Sequence, residues 1–131
     1  MLERAMVEVF SPYVRLLDLR LLEARPGEVV LELPVVPLHV HGGGVLCGQS
    51  MMAAADSAMV LAVMSRLGGF RPMTTVQLQT SFLKPIAGNA GAAQVIVTVL
   101  RLGKNLVFGE VRLLTPAGDL AAHATTTYAL L

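Results

Sequence analysis

The pattern of apolar and polar positions in the first half of the chain predicts a short helix, two strands and one long helix. Apolar residues recur on one side of residues 2–11, as in an amphipathic helix, and Pro12 ends that pattern. Residues 16–23 and 28–33 have the composition of two strands joined by a turn. Residues 47–67 are apolar or small almost throughout, which predicts a helix buried on all sides.

The second half of the chain consists of predicted strands. They cover residues 74–83, 90–100, 106–114 and 120–130, and short turns separate the last three. Strands joined by short turns pair antiparallel, and one apolar helix needs a sheet to cover it. We therefore predict a single α+β domain over residues 1–131, in which a curved antiparallel sheet is wrapped around the central helix.

Composition narrows the functional classes. The chain is 54% hydrophobic and 15% charged, which predicts self-association because a monomer this apolar would expose large patches. A net charge of +1 without basic clusters argues against nucleic acid as a partner. One cysteine, Cys47, and no leader-like start predict a cytoplasmic protein. Residues 45–67 have the length of a membrane span, but Asp56 near the middle argues against a membrane.

Asp56 is the candidate for chemistry. It is the only charged residue between Val45 and Ser65. An ionised carboxylate among apolar residues is costly unless it is hydrogen-bonded, paired or used, and such groups are candidates for acid–base or nucleophilic roles. The alternative is a structural carboxylate that accepts hydrogen bonds from the backbone or from a neighbouring Ser or Thr.

Four segments, which follow one another along the chain in the same order as in that family, resemble the hotdog-fold thioesterases of the phenylacetate-degradation type. In that family a Gly near the start of the helix precedes an acidic residue by eight positions, as Gly48 precedes Asp56 in Ala54-Ala55-Asp56-Ser57-Ala58. The other three segments, which match the strand after the helix, a turn and the closing strand, are Thr74–Pro85, Arg101–Lys104 and Ala121–Tyr128.

One segment departs from the family pattern. The family places His-Gly-Gly at the start of the helix, where this chain has Cys47-Gly48-Gln49. The chain's own His41-Gly42-Gly43 lies six residues earlier, and aligning on it would put Ser50 in the carboxylate position. The first alignment places His41 where these enzymes often hold an Asn or Gln that orients water.

The resemblance implies thioester hydrolysis without a cofactor. Unpaired N–H groups at a helix start can stabilise an oxyanion, and Gly48 is the predicted donor. Asp56 is the predicted general base or nucleophile, and the sequence leaves both routes open. Eight helical residues span about 12 Å, so we expect each site to combine Gly48 of one subunit with Asp56 of another. This predicts a homodimer, and a dimer of dimers stays open.

Five further residues are candidates around this site. Thr75 is either a hydrogen-bond partner in catalysis or simply a strand former. His41 is a water-orienting residue or a loop histidine, and Gln49 contacts the acyl group or only begins the helix. Arg101 and Lys104, beside a predicted hairpin, are candidates for binding coenzyme A phosphates.

Two functional hypotheses remain. The first is an acyl-CoA thioesterase that acts on medium-chain or aromatic acyl groups, and the second is a non-catalytic protein that binds acyl thioesters. A thioester on a carrier protein is an open alternative to coenzyme A. We predict no metal site, because His39, His41 and His123 lack a nearby Cys or carboxylate at ligand spacing. His41-Gly42-Gly43-Gly44 imitates a lipase oxyanion segment, but the Gly-x-Ser-x-Gly elbow is absent.

Overall fold

A computed structural model describes residues 1–131 as one antiparallel sheet with a long helix against it. The helices are α1 (Leu2–Glu8), α2 (Pro12–Arg15) and α3 (Gly48–Leu67), and a 3-10 turn spans Pro37–His39. The strands are β1 (Arg20–Arg25), β2 (Glu28–Pro34), β3 (Met73–Phe82), β4 (Ala92–Leu102), β5 (Leu106–Leu114) and β6 (Leu120–Leu130). The predicted α+β architecture is confirmed, and the central helix begins one residue after its predicted start.

The N-terminal region contains two short helices where one was predicted. α1 ends at Glu8, and Pro12 begins α2 instead of ending the first helix. A proline fits the first helical position because the N–H that it lacks would have no partner there. The Ser11 hydroxyl accepts the N–H of Val14 at 3.2 Å and caps α2.

The start of β1 also differs from the prediction. The predicted strand began at residue 16, whereas β1 begins at Arg20. Leu16 instead caps the C-terminus of α2. Asp18 adopts a left-handed conformation, with φ of 54°, and so redirects the chain between α2 and β1.

The sheet order is β1-β2-β4-β5-β6-β3, and every neighbouring pair is antiparallel. α3 contacts all six strands. Its small residues allow this close approach, since four alanines have no exposed surface: Ala54, Ala55, Ala58 and Ala62. By length and composition α3 would also pass as a membrane span, but in this fold it is the largely buried core helix.

A glycine in β5 lets α3 approach the sheet. Met59 of α3 is fully buried, and its side chain occupies the space where a Cβ at Gly109 would lie. At the other end of α3, Gly68 ends the helix in a left-handed conformation with φ of 82°, as is usual for a C-terminal cap.

β3 is an edge strand, and its pairing with β6 is interrupted by a β-bulge. Thr75 is opposite Tyr128 and Gln77 is opposite Thr127, so Val76 is the extra residue. Without the bulge, strict alternation back from Leu78 would place Val76, not Thr75, on the face that packs against α3. The bulge therefore determines which side chain faces the helix.

Candidate active site

The Asp56 carboxylate lies between α3 and the paired strands β3 and β6. Its Oδ1 atom accepts hydrogen bonds from Thr75 Oγ1 at 2.8 Å and from the Tyr128 hydroxyl at 2.7 Å. No protein group donates to Oδ2, and the residue is half-buried. One oxygen of the carboxylate is therefore fixed by two hydroxyls, and the other is free for water or substrate.

Tyr128 is the residue of this site that the sequence analysis did not single out. Its side chain is 3% exposed, and its hydroxyl also lies 2.8 Å from the Asp56 carbonyl oxygen. Burial raises the pKa of Tyr128 well above its ordinary value; the neighbouring Thr75 hydroxyl acts to lower it, and the Asp56 carboxylate raises it further. The phenol therefore keeps its proton at neutral pH and serves as a donor.

The sequence contained a partial signal for Tyr128. It lies in the closing-strand segment that matched the family, at an alternating position shared with Ala124 and Thr126. A tyrosine at such a position is also an ordinary core residue, and its partner is 72 residues away in sequence. Only the β3–β6 register brings the hydroxyl onto Asp56.

Gly48 forms the second part of the site, at the N-terminus of α3. Cys47 precedes it in an extended conformation, and its N–H donates to the His39 carbonyl at 2.8 Å. The N–H groups of the first helical turn have no acceptor within the helix. The helix dipole adds a partial positive charge at this end. These features suit an oxyanion.

A cavity of about 300 Å³ opens beside Gly48. The Phe82 ring packs against the glycine, and a Cβ added there would lie 3.2 Å from Phe82 Cζ. His41 and Lys84 are the polar residues of the wall, which is otherwise mostly apolar. His41 thus lies at the Gly48 part of the site, where its Nδ1 accepts the Gly43 N–H at 2.8 Å.

A polar chain supports the start of α3. His39 Nε2 donates to the Leu16 carbonyl at 3.2 Å, so in the neutral ring Nδ1 accepts from Ser50 Oγ at 2.9 Å. Cys47 Sγ lies 3.0 Å from Ser50 Oγ. His39, considered above only as a metal ligand, therefore connects the helix start to the segment after α2.

The side chains of the remaining candidates form no hydrogen bond with either part of the candidate site. Gln49 is exposed on the first turn of α3. Arg101 and Lys104 are exposed in the β4–β5 hairpin and form no ion pair. That hairpin lies at the Tyr128 end of the sheet, because Val107 pairs with both Leu102 and Tyr128.

Within one chain, therefore, the candidate residues form two separate groups. Asp56, Thr75 and Tyr128 are in contact, whereas Gly48 and His41 share the cavity at the helix start. Eight helical residues separate Gly48 from Asp56, or about 12 Å along the axis. A single carbonyl group cannot touch both groups in one chain.

Comparisons with known proteins identify the family to which this chain belongs. The family model described as "Thioesterase superfamily" matches residues 39–122. "Putative esterase SSO2140" of Saccharolobus solfataricus is 27% identical over 131 residues, covering 98% of this chain and 91% of that protein.

Solved structures agree with the family model. Zebrafish thioesterase superfamily member 2 superposes with a TM-score of 0.84 at 30% identity, covering 98% of this chain and 92% of that one. A mutant of the phenylacetic acid degradation protein PaaI from Thermus thermophilus gives 0.80 at 26% identity, covering 92% and 100%. The predicted resemblance is confirmed: this chain is a hotdog-fold member of the thioesterase superfamily.

Proposed function

We propose that this protein hydrolyses acyl-CoA thioesters. In this proposal Asp56 either activates a water molecule or itself attacks the thioester carbonyl carbon. The observation that carries the proposal is the asymmetry of the carboxylate. Thr75 and Tyr128 both donate to Oδ1, and Oδ2 has no protein donor. Oδ2 is not a buried oxygen without a partner, so water or a thioester can reach it. The superfamily membership and the relative named as an esterase support a hydrolase.

Two chemical routes fit this carboxylate. In the first, Oδ2 removes a proton from a water molecule that attacks the thioester carbonyl carbon, and the coenzyme A thiolate leaves. In the second, Oδ2 itself attacks, the thiolate leaves, and water then hydrolyses the resulting anhydride. Both routes place negative charge on the carbonyl oxygen, which therefore needs a donor.

Gly48 is the proposed oxyanion donor, and it belongs to the partner subunit. Its N–H lies in the unpaired first turn of α3, and the absence of a side chain lets a carbonyl approach. The distance between the two groups within one chain requires a homodimer in which each site takes one group from each subunit. The exposed edge of β3 supports self-association, because a ten-residue edge strand with exposed Val76 and Phe82 is a surface for pairing.

The substrate proposal follows from the surroundings of the two groups. The mostly apolar cavity beside Gly48 suits a medium-chain or aromatic acyl group. His41 would orient water or the carbonyl, and Gln49 would contact the substrate at the helix start. Arg101 and Lys104 are free to meet phosphates, since neither forms an ion pair. A hypothetical thioesterase from Streptococcus pneumoniae, of the same fold at 19% identity, was solved with coenzyme A.

The test is thiol release from short, medium, long and aromatic acyl-CoA esters by the wild type and by Asp56→Asn. We expect hydrolysis of medium-chain or aromatic esters, reduced about 10²- to 10⁴-fold in the variant. Asp18→Asn is the matched control, since Asp18 is exposed and Asn tolerates its positive φ. A parallel series on acyl carrier protein distinguishes the two thiol carriers.

Two results would contradict the proposal. Equal rates for the wild type and a folded Asp56→Asn variant would show that Asp56 is not the reactive carboxylate. Saturable binding of acyl-CoA without turnover of any thioester would favour the alternative hypothesis, a non-catalytic binding protein.

A further inference from the structure

β6 presents two buried hydroxyl groups to the Asp56 region. Thr126 and Tyr128 lie two positions apart, on the strand face that packs against α3, and each is 3% exposed. A buried hydroxyl costs free energy unless it is hydrogen-bonded. Each hydroxyl therefore needs a hydrogen-bond partner within the protein. Both partners, the Gln77 carbonyl and Asp56, lie at the candidate site.

Thr126 contacts the backbone at the β3 bulge. Its Oγ1 donates to the Gln77 carbonyl at 3.0 Å, directly beside the extra residue Val76. A bulge changes which side chains face each side of the sheet. Here it brings Thr75 opposite Tyr128 and toward α3. The Thr126 hydroxyl thus stabilises the backbone geometry on which the Thr75–Asp56 hydrogen bond depends.

Tyr128 contacts the carboxylate directly. Its hydroxyl is 2.7 Å from Asp56 Oδ1 and 2.8 Å from the Asp56 carbonyl oxygen. Thr75 donates to the same Oδ1 atom from β3. Two donors on one oxygen, from two strands, oppose rotation of the carboxylate and leave Oδ2 without a protein donor.

We infer that Tyr128 is a positioning residue for Asp56, and that Thr126 supports the same geometry by fixing the bulge that carries Thr75. This inference rests on the proposed hydrolysis for its kinetic test, but the hydrogen bond itself can be tested without substrate. Both residues lie in the closing-strand segment Ala121–Tyr128 of the family resemblance, which assigned neither of them a role.

The kinetic test uses Tyr128→Phe, which keeps the ring and removes only the hydroxyl. We expect kcat to fall about ten- to a hundredfold, because small misplacements of a reacting group have effects of this size, while KM changes little. Tyr13→Phe, at an exposed tyrosine, is the control. Thr126→Val is expected to lower kcat, and Thr126→Ser, which keeps the hydroxyl, is expected to restore it.

The substrate-free test is the absorbance of tyrosinate near 295 nm as the pH is raised. The chain has two tyrosines and no tryptophan, so the signal is readable, and exposed Tyr13 serves as the reference. The Asp56 carboxylate is one cause of the raised pKa of Tyr128, so Asp56→Asn should move that titration to lower pH. A wild-type kcat in Tyr128→Phe would overturn the inference, as would a folded wild type in which Tyr128 titrates together with exposed Tyr13.

The two tests separate this inference from the proposed function. A shifted titration without hydrolysis of any thioester would support the Tyr128–Asp56 contact and reject the enzyme. Hydrolysis that depends on Asp56 but not on the Tyr128 hydroxyl would support the enzyme and reject the positioning role.

Discussion

At the scale of single residues, the hydrogen bonds of the Asp56 carboxylate come from residues that are distant in sequence. The sequence identified Asp56 as the only charged residue between Val45 and Ser65, and Thr75 as a candidate partner. The second donor, Tyr128, depends on strand register, which no local pattern specifies. The contact with Thr75 was predicted as one of two alternatives and is present; its role in catalysis stays a prediction.

The buried phenol predicts a specific loss of stability at alkaline pH. Above about pH 10 an unfolded tyrosine loses its proton, whereas folded Tyr128 keeps it because its pKa is raised. The folded state then binds more protons, so the free energy of unfolding falls as pH rises, by up to about 1.4 kcal/mol per pH unit. Below that pH the contribution is present in full.

This prediction is measured by urea unfolding between about pH 8 and pH 11.5, spanning the ordinary tyrosine pKa. Tyr128→Phe should show a shallower decline above pH 10 than the wild type, while Tyr13→Phe should follow the wild type. Parallel declines for the wild type and Tyr128→Phe would mean that Tyr128 does not titrate differently in the two states.

At the scale of elements, the pattern of residues predicted most of what was found. The central helix and the last four strands were predicted, because long apolar runs and Gly- or Pro-containing turns are strong local signals. The errors fall where a local signal has two readings. Ser11-Pro12 both follows one helix and starts another, and the alternating residues around Val76 conceal a bulge.

The packing of α3 on β5 predicts that Gly109→Ala destabilises the fold by about 1–3 kcal/mol, the usual cost of overpacking. The added methyl would meet the fully buried Met59 side chain and lie 3.2 Å from the Thr98 carbonyl oxygen. Gly69→Ala is the control, since nothing lies within 4 Å of an added Cβ there. Chemical unfolding of both variants measures the difference, and equal stabilities would contradict this packing account.

At the scale of the whole molecule, one chain holds the candidate residues in two separate groups. Asp56, Thr75 and Tyr128 lie at one part of α3, and Gly48 lies at the helix start beside the cavity. Helix geometry, which the sequence already supplied, separates Gly48 from Asp56 by about 12 Å. How two copies associate depends on surface complementarity, which a pattern of apolar positions does not encode.

The central claim, a thioesterase site shared between subunits, predicts complementation between two inactive variants. Gly48→Pro removes the N–H donor at a position where proline suits the helix, and Asp56→Asn removes the reactive carboxylate. Gly48→Ala keeps the donor and adds the Cβ contact with Phe82, so it measures the loss that is due to steric hindrance alone. In a heterodimer of the two inactive variants, Gly48 of one subunit and Asp56 of the other form one intact site, and the second site lacks both.

The most direct measurement is therefore acyl-CoA hydrolysis by heterodimers of Gly48→Pro and Asp56→Asn, isolated with two different affinity tags. The shared site predicts about half of the wild-type rate per dimer, with both parent homodimers inactive. Folded, verified heterodimers that are as inactive as their parents would contradict it.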